Sequence, residues 1–88
     1  MKIVLITGAT SGIGEACAHK FAENGYNLIL TGRKQNLLDA LKSKLEKEYH
    51  VHVLCLNFDV RDAQAAKAAI DSLSGDWRNI DVLINNAG

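Results

Sequence analysis

The segment Thr7-Gly8-Ala9-Thr10-Ser11-Gly12-Ile13-Gly14 places three glycines between an apolar run and the start of a helical repeat. A turn of this kind is suited to holding phosphate. Small residues let a ligand approach the main chain, and the free N–H groups and dipole of a helix start attract negative charge. In that arrangement Gly8 lets the backbone leave the strand sharply, Gly12 admits a pyrophosphate and Gly14 permits close packing of helix on sheet. Thr10, Ser11 and Ile13 complete the cradle. The spacing G-x-x-x-G-x-G departs from the common G-x-G-x-x-G fingerprint and lacks the lysine of a Walker loop, which disfavours ATP. The competing reading is a glycine-rich turn that binds nothing.

After the second apolar run, where an NAD site usually carries an acid, the sequence reads Leu30-Thr31-Gly32-Arg33-Lys34, with no carboxylate before Asp39. Arg33 and Lys34 offer cations where a 2′-phosphate would sit, so NADP is expected over NAD; the alternative is two ordinary surface charges opening a helix. Asp59-Val60 ends the third apolar run. Its carboxylate would accept from the adenine amine with Val60 against the ring, or else Asp59 would cap the helix that follows. Asn85-Asn86-Ala87-Gly88 brings two carboxamides to the end of the fourth run, where they tie strands together, touch the ribose or form a plain turn. A catalytic dyad is not found. Four residues after Tyr26 stands Leu30, and four after Tyr49 stands Val53, so neither tyrosine has a lysine one turn ahead to lower its pKa. His50 and His52 lack neighbouring Cys or carboxylate ligands for a metal, and His19 reads as an ordinary helix residue.

Hydrophobic periodicity supplies the elements that must position these groups. Continuous apolar runs predict strands over 2–7, 27–31, 51–58 and 82–85. Helical spacing predicts a first helix over 12–24, with Ile13, Ala16, Cys17 and Phe21 facing inward. A second helix carries Leu37, Leu38, Leu41 and Leu45, and a third, over 61–74, carries Ala66, Ile70 and Leu73. Trp77 and Ile80 are expected to fold back as an apolar plug. Strands separated by helices of these lengths must run parallel, and right-handed crossovers then give the order 3-2-1-4, with helices one and two on one face and helix three on the other. The ligand crevice of such a sheet lies at the switch point between strands one and four. The fold class expected is therefore α/β, a Rossmann-type three-layer α/β/α arrangement with a partial parallel sheet.

The 88 residues are 48% hydrophobic and carry ten Lys plus Arg against ten Asp plus Glu, which bounds the chain to one globular domain. Zero net charge leaves no basic surplus for nucleic acid, and no apolar stretch is long enough for a membrane span or a signal segment. Cys17 and Cys55 sit in apolar surroundings and read as reduced thiols of a cytoplasmic protein.

Taken together and in order, Thr7-Gly8-x-x-x-Gly12-Ile13-Gly14, Asp59-Val60 and Asn85-Asn86-Ala87-Gly88 resemble the short-chain dehydrogenase/reductase family along the whole chain. The resemblance implies an NAD(P)-dependent oxidoreductase, with the glycine motif at the pyrophosphate, Asp59 and Val60 at adenine, and the backbone of Asn86, Ala87 and Gly88 near the ribose. Thr31-Gly32-Arg33 and Trp77-x-x-Ile80-Asp81 are further similar to the NADP-dependent serine or 3-hydroxy acid dehydrogenase subgroup. The family's catalytic Ser, its Tyr-x-x-x-Lys and a further Asn lie downstream of the Asn-Asn-Ala-Gly motif. Residues 1–88 are accordingly expected to be the amino-terminal, dinucleotide-binding half of one Rossmann domain, inactive alone. The parent would move hydride between NADP and a small alcohol or hydroxy acid. The alternative is a non-catalytic half-Rossmann module that binds nucleotide or only assembles. If the 88 residues fold alone, two copies are expected to pair through the edge of strand four about a twofold axis.

Overall fold

The computed structural model describes residues 2–86. Along the chain the elements are β1 (Ile3–Thr7), α1 (Gly12–Glu23), β2 (Asn27–Gly32), α2 (Gln35–Tyr49), β3 (Val53–Asn57), α3 (Ala63–Asp71), a 3-10 turn (Gly75–Arg78) and β4 (Val82–Asn85). All strand pairs are parallel, and the order is β3-β2-β1-β4, as the connection lengths require. Leu5 lies opposite Ile29 in β2 and Leu83 in β4, while Ile29 lies opposite Leu54 in β3.

Alternation along the strands divides the core in two. Val4, Ile6, Leu28 and Leu30 pack with Ala18 and Ala22 of α1 and with Leu38, Leu41 and Leu45 of α2. Ile3, Leu5 and Ile29 form a smaller cluster with Leu73, against which Trp77 and Ile80 pack as the expected plug. Side chains also pin the strand starts. Asp81 Oδ2 accepts from the Ile3 N–H at 2.8 Å while the Asp81 N–H donates to Ile3 O at 2.9 Å, fixing β4 against β1. Asn27 Oδ1 accepts from the His52 N–H at 2.8 Å, and Glu46 Oε2 from the Val53 N–H at 3.1 Å.

Four expectations are corrected. Ile13 and Ala16 of α1 face outward, and the buried stripe is Gly14, Ala18 and Ala22, with Cys17 and Phe21 partly buried. The cap at Ser11 sets the rotation of the helix, and small residues on the inner side let it lie close to the sheet. Leu37 is also turned out, because the inward line of α2 runs through Leu38, Leu41 and Leu45. The third helix is shorter than 61–74 and buries none of its own residues; Ile70 is exposed, and Leu73 is buried only after the helix has ended. Strand three begins two residues later than expected, since His50 adopts a left-handed conformation (φ 57°) that caps α2 and redirects the chain. Among the described residues no helix is long and apolar enough to cross a membrane.

Candidate functional site

Because the strands are parallel, their carboxyl ends and the turns that follow gather along one edge of the sheet. The turn after β1 is built around two glycines that no other residue replaces without cost. Gly8 has φ 60°, in the left-handed region. A Cβ on Gly14 would fall inside contact distance of Gly8 O and 2.9 Å from Ala9 Cα. Gly12 differs: a Cβ there would meet nothing within 4 Å, so this glycine borders open space rather than protein.

Ser11 caps α1, its Oγ accepting from the Gly14 N–H at 3.1 Å and donating to Gly8 O at 3.0 Å. Its backbone is engaged as well, the N–H donating to Gly8 O at 3.2 Å and the carbonyl accepting from the Glu15 N–H at 2.8 Å. Among the described residues the N–H groups of Gly12 and Ile13 are thereby left without a partner at the positive end of α1. The Ile13 side chain stands beside them, 70% exposed.

The asparagines at the end of β4 tie strands together. The Asn86 N–H donates to Thr7 Oγ1 at 2.9 Å, and its Nδ2 donates to Gly8 O at 3.1 Å and to Ser11 Oγ at 2.7 Å. The Thr7 hydroxyl points to Asn85 Oδ1 at 3.2 Å. Both amide hydrogens of Asn86 thus brace the glycine turn from behind. Ala87 and Gly88 lie outside the described residues. From the other side, the Ala9 N–H donates to Thr31 O at 3.0 Å, joining the same turn to β2.

A cleft of about 460 Å³ opens in front of these turns. The β1–α1 turn contributes Gly8, Thr10 and Ser11, and the end of β2 contributes Gly32, Arg33 and Lys34. Leu37 comes from α2, and Phe58, Asp59, Val60 and Arg61 follow β3. Glycine turn, cationic pair and Asp59-Val60, separated in sequence, are therefore brought to one site.

Asp59 does not cap α3. That position belongs to Asp62, whose Oδ1 accepts from the N–H groups of Gln64 and Ala65 at 3.1 Å each. Arg61 instead claims Asp59: Oδ1 accepts from the Arg61 N–H at 2.9 Å and Nε at 3.1 Å, and Oδ2 from Nη2 at 2.9 Å. Arg33 Nη1 stands 3.7 Å from the same Oδ2. Hydrogen bonds from the Arg61 side chain and backbone, with the charges of both arginines, lower the Asp59 pKa to about 2, so the carboxylate is a permanent acceptor at neutral pH.

Sequence reasoning missed Arg61, Phe58 and Leu37 as lining residues. Leu37 had a legible signal, standing one position off the inward leucine line and so facing elsewhere. Arg61 had a fainter one, the local pairing that an Asp makes two residues ahead. The tyrosines serve packing. Tyr26 meets Phe21 edge-on, and Tyr49 joins α2 to α1 through its hydroxyl, 3.0 Å from His19 Nδ1.

Comparison with known proteins gives the chain's family. A family model described as short chain dehydrogenase matches residues 2–88. The chain is 49% identical over 86 residues to the NADP-dependent 3-hydroxy acid dehydrogenase YdfG of Salmonella typhi, covering 98% of this chain and 33% of that protein. It is 44% identical over 85 residues to the serine 3-dehydrogenase of Rhizobium radiobacter, covering 97% and 32%. Among solved structures, a short-chain dehydrogenase from Sphingobium yanoikuyae in complex with NADPH superposes with a TM-score of 0.87 at 43% identity, over 100% of this chain and 34% of that one. The chain thus spans about a third of the length of the relatives it matches.

Proposed function

The chain belongs to the short chain dehydrogenase family, and from that premise we propose that residues 1–88 are the amino-terminal half of a Rossmann domain whose cleft binds NADP. The observation that carries this reading is the helix start at Gly12, where open space meets two unpartnered N–H groups, next to Thr10 and Ser11, which line one cleft with Arg33 and Lys34. The pyrophosphate is assigned to the amides of Gly12 and Ile13, with Gly8, Thr10, Ser11 and Gly14 shaping the turn. Arg33 and Lys34 are assigned to the 2′-phosphate, Asp59 and Val60 to the adenine, and Asn86, Ala87 and Gly88 to the ribose side. Leu37 and Phe58 add apolar wall to the adenosine end. Bound NADP would supply a carbon that gives or takes hydride.

The whole protein is proposed to oxidise or reduce a small alcohol or 3-hydroxy acid of serine-like size, a reading supported by the names of the relatives. Residues 1–88 are assigned cofactor binding and no proton transfer, since Tyr26 and Tyr49 are engaged in packing. A cytoplasmic setting is part of the proposal and is supported by the free thiols Cys17 and Cys55, the latter with a pKa raised by burial.

Calorimetric titration of the 88-residue chain with NADP and NAD tests the reading. A charge-assisted contact to the 2′-phosphate is worth about 1.5–3 kcal/mol, so NADP should bind about ten- to a hundredfold tighter, and Arg33→Asp should weaken NADP while leaving NAD unchanged. A folded sample that takes up neither coenzyme overturns the assignment. A second reading, in which the unit also self-associates through β4, is favoured by Leu83, 63% exposed on that edge strand.

A further inference from the structure

The cleft holds one cation that the motifs leave unassigned. Arg61 and Arg33 approach the same oxygen of Asp59, Oδ2, at 2.9 Å and 3.7 Å. The two contacts differ in kind. Arg61 is gripped through Nε and Nη2 while its own N–H binds Oδ1, so its guanidinium is oriented although its side chain is 74% exposed. Its Nη1 has no partner among the described residues. Arg33, at 3.7 Å, is beyond hydrogen-bond distance and is released from the carboxylate at little cost.

Charge gives the arrangement its meaning. An acceptor carboxylate at the adenine would repel a phosphate on the neighbouring ribose unless something neutralised it. Arg61 does so, and with Arg33, Lys34 and Asp59 the lining carries a net two positive charges. A phosphomonoester bears about −1.5 to −2 at neutral pH, a close match.

We propose that Arg61 is a second guanidinium for the 2′-phosphate of the coenzyme, held ready by Asp59 and acting together with Arg33. The inference rests on the NADP reading above and adds a specificity-determining residue to it.

The test compares the wild type with Arg61→Ala, Arg61→Lys and Arg33→Ala, each first confirmed as folded by its melting transition. The chains are titrated with NADP and NAD, and with 2′-AMP and 5′-AMP to isolate the adenosine end. Arg61→Ala should lower the preference for NADP over NAD by about fivefold and lower the preference for 2′-AMP over 5′-AMP in parallel. Arg61→Lys should recover part of the loss, and Arg33→Ala should lose more. If Arg61 only braced and neutralised Asp59, adding Arg61→Ala to an Asp59→Asn chain, where no carboxylate is left to repel the phosphate, would leave the NADP-to-NAD ratio unmoved, and that result overturns the inference alone. A wild-type chain that binds neither coenzyme overturns the NADP reading and this inference with it.

Discussion

Two glycines of one turn separate folding from binding. A Cβ on Gly14 has no room, because backbone of Gly8 and Ala9 and the Asn86 amide surround it, and backbone cannot yield as a flexible side chain can. Gly14→Ala should therefore destabilise by about 3 kcal/mol or more, read as loss of far-UV circular dichroism or an early urea midpoint. The Gly12 position faces empty space at the first turn of α1. Gly12→Ala should leave stability unchanged or raise it by about 0.5 kcal/mol, through lower unfolded-state entropy, while reducing NADP affinity at least tenfold. Equal NADP affinity for the alanine variant would remove Gly12 from the site. A third residue tests the cost of an orphaned group. Thr31 is fully buried in β2, and its hydroxyl has no partner among the described residues. Thr31→Val keeps the shape and removes the unsatisfied oxygen, so it should stabilise the chain by about 1 kcal/mol in urea melts. A loss of that size would show that a bound water satisfies Thr31.

At the scale of elements, the turn into α3 is anchored twice, by Asp59 on Arg61 and by the Asp62 cap. The first anchor is pH-dependent in a defined direction. Asp59 has its pKa lowered from 3.8 to about 2, so its contribution is complete above 3.8 and disappears as the pH falls through about 2. Asp59→Asn should therefore be less stable than wild type at pH 5, with the difference closing between pH 4 and 2 in thermal melts. A constant difference across that range would contradict the pairing. This fork was not legible in the sequence, where Asp59 was weighed only as an adenine acceptor or the helix cap, and side-chain geometry hands the cap to Asp62. The strands were legible, each being a mostly apolar run covered on at least one face, and so were the glycine turn after β1 and the Arg33-Lys34 pair after β2, which share one cleft. The inner face of α1 was not. Gly14, Ala18 and Ala22 carry little hydrophobic signal, and what selects them is how closely the helix must approach the sheet, a property of the packed structure.

Across the whole molecule, the two faces of the sheet are covered unequally. One face lies under α1 and α2 and holds most of the buried side chains. The other is covered by Leu73, Trp77 and Ile80, while α3 buries nothing and Ile70 is exposed. β4 pairs with β1 on one side only and is the sheet's edge, where Leu83 is open to solvent. An apolar edge strand is open to pairing with another strand, and in the self-association proposed above a second β4 related by a twofold axis would satisfy both copies at once. Sedimentation of the 88-residue chain should then show concentration-dependent dimerisation. Leu83→Lys should oppose it twice per dimer, once on each strand. At about 1.5 kcal/mol or more for each buried leucine, the dissociation constant should rise at least about a hundredfold. A chain that stays monomeric, or whose association is indifferent to Leu83→Lys, would show that this edge does not pair with its own copy.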